Sequence, residues 1–165
     1  MTSSATSIKP RSQAAITTSA EGTVLVVTGD VDDHTRLVAL ADQLGKQAII
    51  DLGGVGFINS VGVREWITLL EALDQKGATV VLRNVSEPMV RQMTMVMEAR
   101  GAAAVESFYA PYVCPGCGDE RSLLIAVEPH RAELAAGTPP KQACPDCGAA
   151  MDFDEFPRRY LSFLG

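Results

Sequence analysis

Four cysteines carry the most specific chemistry in this sequence: Cys114, Cys117, Cys144 and Cys147. They form two Cys-x-x-Cys pairs, Cys114-Pro-Gly-Cys117-Gly118 and Cys144-Pro-Asp-Cys147-Gly148. Proline and glycine supply the backbone angles of a tight knuckle that aims two thiolates at one point. Two knuckles give four sulfurs, the tetrahedral shell that a structural Zn²⁺ takes at about 2.3 Å per bond. A full sulfur shell leaves no open position for water, so the metal reads as structural rather than catalytic. Two disulfides compete with this reading. The Ser/Thr-rich stretch from Met1 to Gln13 has no apolar signal region, so nothing in it points to an oxidising compartment. A thioredoxin-like redox pair needs a βαβ setting, and these pairs sit in a loop-rich tail. His130, between the knuckles, reads as a surface residue because the shell is already complete.

The elements that must position these residues follow from pattern and composition. The chain has 165 residues, is 47% hydrophobic and carries a net charge of −6. That balance is globular. The acidic excess is shared, with net −3 both in 1–110 and in 111–165. An acidic chain lacks the basic footprint of a nucleic-acid binder, and only Arg158-Arg159 pair up in the tail. No apolar run reaches the length of a membrane-spanning helix. The expected setting is cytoplasmic, with no membrane insertion and no nucleic acid. Residues 1–13 are expected to form a disordered tail.

Ala15–Thr18 and Thr23–Val27 read as strands joined at Glu21-Gly22. Leu37, Leu40, Ala41 and Leu44 have the spacing of an amphipathic helix. Ala48–Leu52 reads as a buried parallel strand. Val63, Trp66, Ile67, Leu70 and Leu73 mark a second helix, and Thr79–Leu82 a further strand. Met89, Met93, Val96 and Met97 mark a third helix whose methionines are expected in the core, and Ala103–Val105 a last short strand. Alternating strands and helices predict an α/β fold with a mostly parallel mixed sheet over 14–110. In 111–165 the expectation is a zinc-ribbon β-hairpin between the knuckles, followed by a terminal helix. Phe153, Phe156, Tyr160 and Phe163 would pack that helix on the core. Because each unit has its own stabilising elements, metal removal should unfold the tail and leave 14–110 largely folded.

Three local motifs, in order, carry a resemblance to a known family. They are Thr28-Gly29-Asp30-Val31-Asp32-Asp33-His34-Thr35, the run Ile49 to Gly62 with Gly53-Gly54-Val55-Gly56-Phe57-Ile58-Asn59-Ser60-Val61-Gly62, and Ser86-Glu87-Pro88-Met89-Val90. Residues 14–110 resemble the STAS domain of anti-sigma-factor antagonists; the cysteine tail lies outside that resemblance. The resemblance implies a protein–protein switch and not an enzyme, binding a serine kinase of the anti-sigma type or another signalling protein. It places the phosphoacceptor at Ser60 and the partner surface on Asp30, Asp32, Asp33, His34, Asn59, Ser60, Val61 and Gly62. The family usually carries Asp directly before the serine; this chain carries Asn59. Any role that needs that carboxylate is lost, and the alternative is a constitutive, unphosphorylated scaffold with the zinc ribbon as a second docking surface.

The residues support a switch on physical grounds as well. Ser60 follows a glycine-rich loop and opens a helix, which makes it an expected N-cap. Phosphate there brings about −1.5 to −2 charges. A helix N-terminus favours that charge, while a partner docked on Asp30, Asp32 and Asp33 would meet a more acidic surface. A hydrolase elbow is a poor fit, because Ile58-Asn59-Ser60-Val61-Gly62 lacks its first glycine. A dinucleotide loop fits poorly too, since Gly54-Val55-Gly56 is followed by Asn59 where the third glycine would stand.

Overall fold

The computed structural model describes residues 12–165. Most of the tail expected over 1–13 lies outside the described residues, and Gln13 already opens a strand. Strands β1 (Gln13–Ser19) and β2 (Gly22–Val31) form an antiparallel hairpin. Gly22 sits at φ +128°, a conformation that an L side chain rarely adopts. Strands β3 (Gln47–Ile58), β4 (Thr79–Arg83) and β5 (Ala104–Val105) run parallel to β2, giving the order β1-β2-β3-β4-β5. Helix α1 (Ser60–Gln75) connects β3 to β4, and α2 (Glu87–Met95) follows β4. This is the mixed α/β sheet with helices that the sequence predicts.

The segment expected as an amphipathic helix over Leu37–Leu44 is a 3-10 helix, Val38–Gln43. Leu37, Ala41 and Leu44 are buried as the spacing requires. A segment this short has little helical stability of its own, so burial rather than propensity sets its pitch. Met89 and Met93 lie in the core, whereas Met97 is 86% exposed. The expected methionine stripe fails at Met97 because α2 ends at Met95 and a 3-10 turn, Met97–Ala99, rotates the side chain outward.

The second sheet contains β6 (Ser107–Val113), β7 (Glu120–Ala126), β8 (Gln142–Ala143) and β9 (Ala150–Phe153), in the order β7-β6-β9-β8. All its pairings are antiparallel. The expected hairpin between the knuckles is replaced by two hairpins, each with a knuckle as its turn. Helix α3 (Arg131–Ala135) lies between them, and α4 (Pro157–Tyr160) runs into a terminal 3-10 turn, Leu161–Leu164. Phe156 is 76% exposed, because it precedes α4 in extended backbone and does not share the helical face of Tyr160 and Phe163.

Strand β6 joins the two sheets. The Val85 N–H donates to Ser107 O at 3.0 Å, and the Tyr109 N–H donates to Val85 O at 2.8 Å. Phe108 is fully buried and meets Phe163 edge-on at 5.3 Å. The Tyr160 hydroxyl donates to Tyr109 O and the Tyr112 hydroxyl to Pro140 O, each at 2.7 Å. One hydrophobic cluster runs from Leu25 and Ile50 through Met89 and Phe108 to Tyr160 and Phe163.

Close approach fixes the start of α1. A Cβ on Gly62 would lie 2.1 Å from the Val31 carbonyl oxygen. That atom is backbone, where β2 ends, so it cannot swing away. Gly62→Ala is expected to destabilise the chain by about 1–3 kcal/mol. The check is a lowered urea midpoint at unchanged denaturant slope.

Candidate partner surface and metal centre

Parallel pairing of β2 and β3 sets Asp30 opposite Phe57 and Val31 opposite Ile58. The Asn59 N–H then donates to Val31 O at 3.1 Å, which brings the loop after β2 alongside the first turn of α1. The residues expected to form a partner surface therefore converge: Asp30 on β2, Asp32, Asp33 and His34 in the loop, and Asn59 to Gly62 at the helix start. Asp32 shapes its own loop, accepting from the His34 N–H at 2.9 Å. His34 Nδ1 lies 3.3 Å from Asp33 and 3.6 Å from Asp32, with its side chain 83% exposed.

The helix cap is Asn59, not Ser60. Asn59 has extended backbone, and its Oδ1 accepts from the Gly62 N–H at 2.9 Å. Asn and Ser are comparable caps, and the pairing of Asn59 with Val31 decides between them. Ser60 is the first helical residue and is exposed, with its hydroxyl not committed to capping. Gly62 is buried beneath this turn, and Val61 is 40% exposed. Phe57, which the sequence reading did not single out, is 46% exposed beside them. An aromatic residue in a strand reads as core, and only the glycine on its N-terminal side hints that this strand leaves the core.

The two knuckles have the same hydrogen bonding. The Cys114 N–H donates to Asp119 O and the Gly118 N–H to Cys114 O; the Cys144 N–H donates to Ala149 O and the Gly148 N–H to Cys144 O. Gly118 and Gly148 take φ of +76° and +74°. Gly116 lets the knuckles close on one another, since its Cβ would meet Ala149 Cβ at 3.1 Å and Cys147 Sγ at 3.4 Å. Cys114 and Cys144 are buried, and Cys117 and Cys147 are exposed.

All four sulfurs lie within 4.8 Å of one another. Cys114 and Cys147 are 3.5 Å apart, and Cys117 and Cys144 3.7 Å. A disulfide needs about 2.05 Å, whereas sulfurs around a tetrahedral zinc stand about 3.8 Å apart. The donor set therefore fits a four-coordinate, thiophilic divalent metal. The Cys117 backbone N–H, above all, draws the Cys114 thiol down to about 7. The Cys117 thiol is lowered by the Asp119 N–H but driven further up by the Cys114 and Cys144 thiols, to about 12. Cys147 is likewise raised, its Ala149 N–H outweighed by Cys114 and burial. One thiolate is favoured and the next is resisted, electrostatics that a bound cation would relieve.

Arg121 ties the knuckles together from outside. It pairs with Asp119 beside the first knuckle and with Asp146 inside the second, the latter at 2.6 Å. Its guanidinium is held still more firmly charged, first by the Asp119 hydrogen bond. The signal in sequence is faint: an acid at each knuckle and an Arg two residues beyond one of them. His130 is half-buried, 3.4 Å from Glu133, and is not among the clustered ligand atoms.

No protein-family model matches the chain, and no curated protein matches it. Among solved structures it is similar to one of the anti-sigma factor antagonist SpoIIAA in its unphosphorylated form. The identity is 19%, covering 58% of this chain and 86% of that one, with a TM-score of 0.42. Among the described residues no helix is long and apolar enough to cross a membrane.

The capping geometry makes a prediction. Asn59→Ala should cost about 1 kcal/mol of stability, and Asn59→Asp should keep wild-type stability to within a few tenths. Thermal unfolding of the three proteins at one zinc concentration checks it.

Proposed function

We propose that this chain is a cytoplasmic, non-enzymatic regulatory module of the anti-sigma-factor-antagonist, STAS-like kind. Its partner is a serine kinase or other signalling protein that docks on the Ser60 surface. The observation that carries this reading is the helix start itself. Ser60 stands exposed at the first position of α1, next to exposed Val61, with Phe57 and the acidic loop alongside. Exposed apolar side chains rimmed by charge suit a protein interface. Phosphate on Ser60 adds its charge beside Asp30, Asp32 and Asp33 and repels a partner held there.

The second part of the proposal is a structural Zn²⁺ on Cys114, Cys117, Cys144 and Cys147. When bound, it supplies charge neutralisation and cross-linking of the two knuckles. The chain's proposed units are residues 14–110 and 111–165, with β6 (Ser107–Val113) crossing from one to the other and the second held by the metal. A constitutive scaffold is the second reading. The continuous core favours it, because that core fixes the metal-bound sheet relative to the Ser60 surface.

Four measurements test these readings. The purified chain should hold about one zinc, and Cys144→Ser should lose it, by elemental analysis. Chelation should abolish amide protection in β7 and β9 and weaken it in α2, which packs against β6 and α4, while Leu25 and Ile50 stay protected. For the switch, fragment mass spectrometry of the chain from its own cells should find phosphate on Ser60. Ser60→Asp should then weaken the kinase complex by about tenfold or more. A stable complex indifferent to Ser60→Asp, with Ser60 unmodified throughout growth, establishes the scaffold instead.

A further inference from the structure

The two knuckles share a backbone but not their charges. Position for position, Gly116 corresponds to Asp146, Asp119 to Ala149 and Arg121 to Met151. The knuckles therefore meet in two different ways. Gly116 of the first meets Ala149 after the second, where a Cβ on the glycine would lie 3.1 Å from the alanine Cβ. That contact is small and uncharged. Asp146 of the second meets Asp119 after the first, and a carboxylate oxygen of each lies within 4.8 Å of the other and of Cys144 Sγ. Arg121 stands on β7 opposite Tyr112, and its guanidinium joins the two acids: Nε donates to Asp119, and Nη2 donates to Asp146 at 2.6 Å.

Given the zinc proposed above, we infer that Arg121 is a positioning residue for the metal. It cancels the repulsion between Asp119 and Asp146 and so holds the two knuckles at the separation that four thiolates around one ion require. Two carboxylates this close oppose one another. The metal does not relieve them, because a divalent ion with four thiolates remains a net anion. Each acid is tied to the sulfurs through the backbone. Asp119 O accepts from the Cys114 N–H, and Asp146 lies between Cys144 and Cys147. Repulsion between the acids would therefore move ligands of both pairs apart. An exposed ion pair normally contributes little. Here the Arg121 and Asp119 side chains are only 32% and 26% exposed, and loss of the cation leaves two like charges opposed beside a thiolate. Asp146, at 61%, is more open, which keeps the expected effect to about tenfold. The planar guanidinium reaches both acids at once, which the single point charge of a lysine does less well.

The test follows zinc transfer from the loaded full chain to a chromogenic chelator. Arg121→Met installs the residue that the second knuckle carries at the matching position and should speed release about tenfold. Arg121→Lys keeps the charge and should fall between Arg121→Met and wild type. Adding Asp146→Asn to Arg121→Met removes the repulsion and should bring release back to within about threefold of wild type. A merely structural loss would not be repaired by a second deletion. Trp66, the single tryptophan, is buried in the first core and should keep its wild-type emission in every variant. Wild-type release from Arg121→Met, or a double variant that releases as fast as Arg121→Met alone, overturns this role. A wild-type chain that holds no zinc overturns the proposed metal itself, and this role with it.

Discussion

The hydrogen bonds between Val85 and the start of β6 hold two sheets of different kinds in one molecule. The first sheet is built by parallel crossovers and ends at a two-residue strand, β5. The chain then returns past Val85, and Phe108 enters the same core that Ile50 and Leu82 occupy. From there β6 runs on to Cys114, so a strand anchored in the first core carries the first cysteine of the cluster at its far end. Tyr112, Phe153 and Tyr160 stack edge-to-face at 5.4 and 5.5 Å along this path. The second sheet is short-stranded and small, the kind of unit that rarely stabilises itself by burial alone. It draws on the shared core from one side and on the thiolate cluster from the other.

The knuckles were legible in the sequence because their geometry is local. Pro, Gly and Cys at fixed offsets determine a turn whatever surrounds it. Which strands those turns join was not legible, since pairing is a long-range choice. The sequence reading placed a hairpin between the knuckles, whereas each knuckle closes its own. Apolar spacing located buried residues well, as at Leu37, Ala41, Leu44, Met89 and Met93, but not the pitch of the backbone carrying them. Short segments leave that to tertiary contacts, which is why Val38–Gln43 is a 3-10 helix and why Met97 and Phe156 face solvent. The residues expected at a partner surface lie together because β2 and β3 end side by side. Phe57 was missed because alternation in a strand does not say where the core stops.

The end of the pairing between β3 and β4 and the joining of the two sheets have one origin. Had β4 continued straight, it would have paired with residues 53–56, and β6 would have had nothing to join. The left-handed residue Asn84 trades that pairing for the junction, and the network with Asp51 and Ser107 holds the trade in place. Asn tolerates this conformation better than other side-chain-bearing residues do. Gly53 opposite is then needed for clearance, since a Cβ there would sit 3.1 Å from Asn84 Cβ; Gly54 instead clears β2, where a Cβ would sit 2.4 Å from Thr28 Cγ2.

Asn59 bears on the chemistry at Ser60 through charge rather than shape. Its carboxamide caps α1 as an aspartate would, so the local backbone does not need the carboxylate. What changes is the field at the next residue. A carboxylate at the cap would stand directly beside a phosphate on Ser60, and two like charges in adjacent positions oppose one another. With a neutral cap, the N–H groups at the start of α1 would act on a phosphate there without that opposition. Asp30 on β2 and Asp32 and Asp33 in the loop after it lie alongside the helix start. The repulsion that such a phosphate would create is therefore directed at the acidic loop and its surroundings rather than against the helix that would carry it.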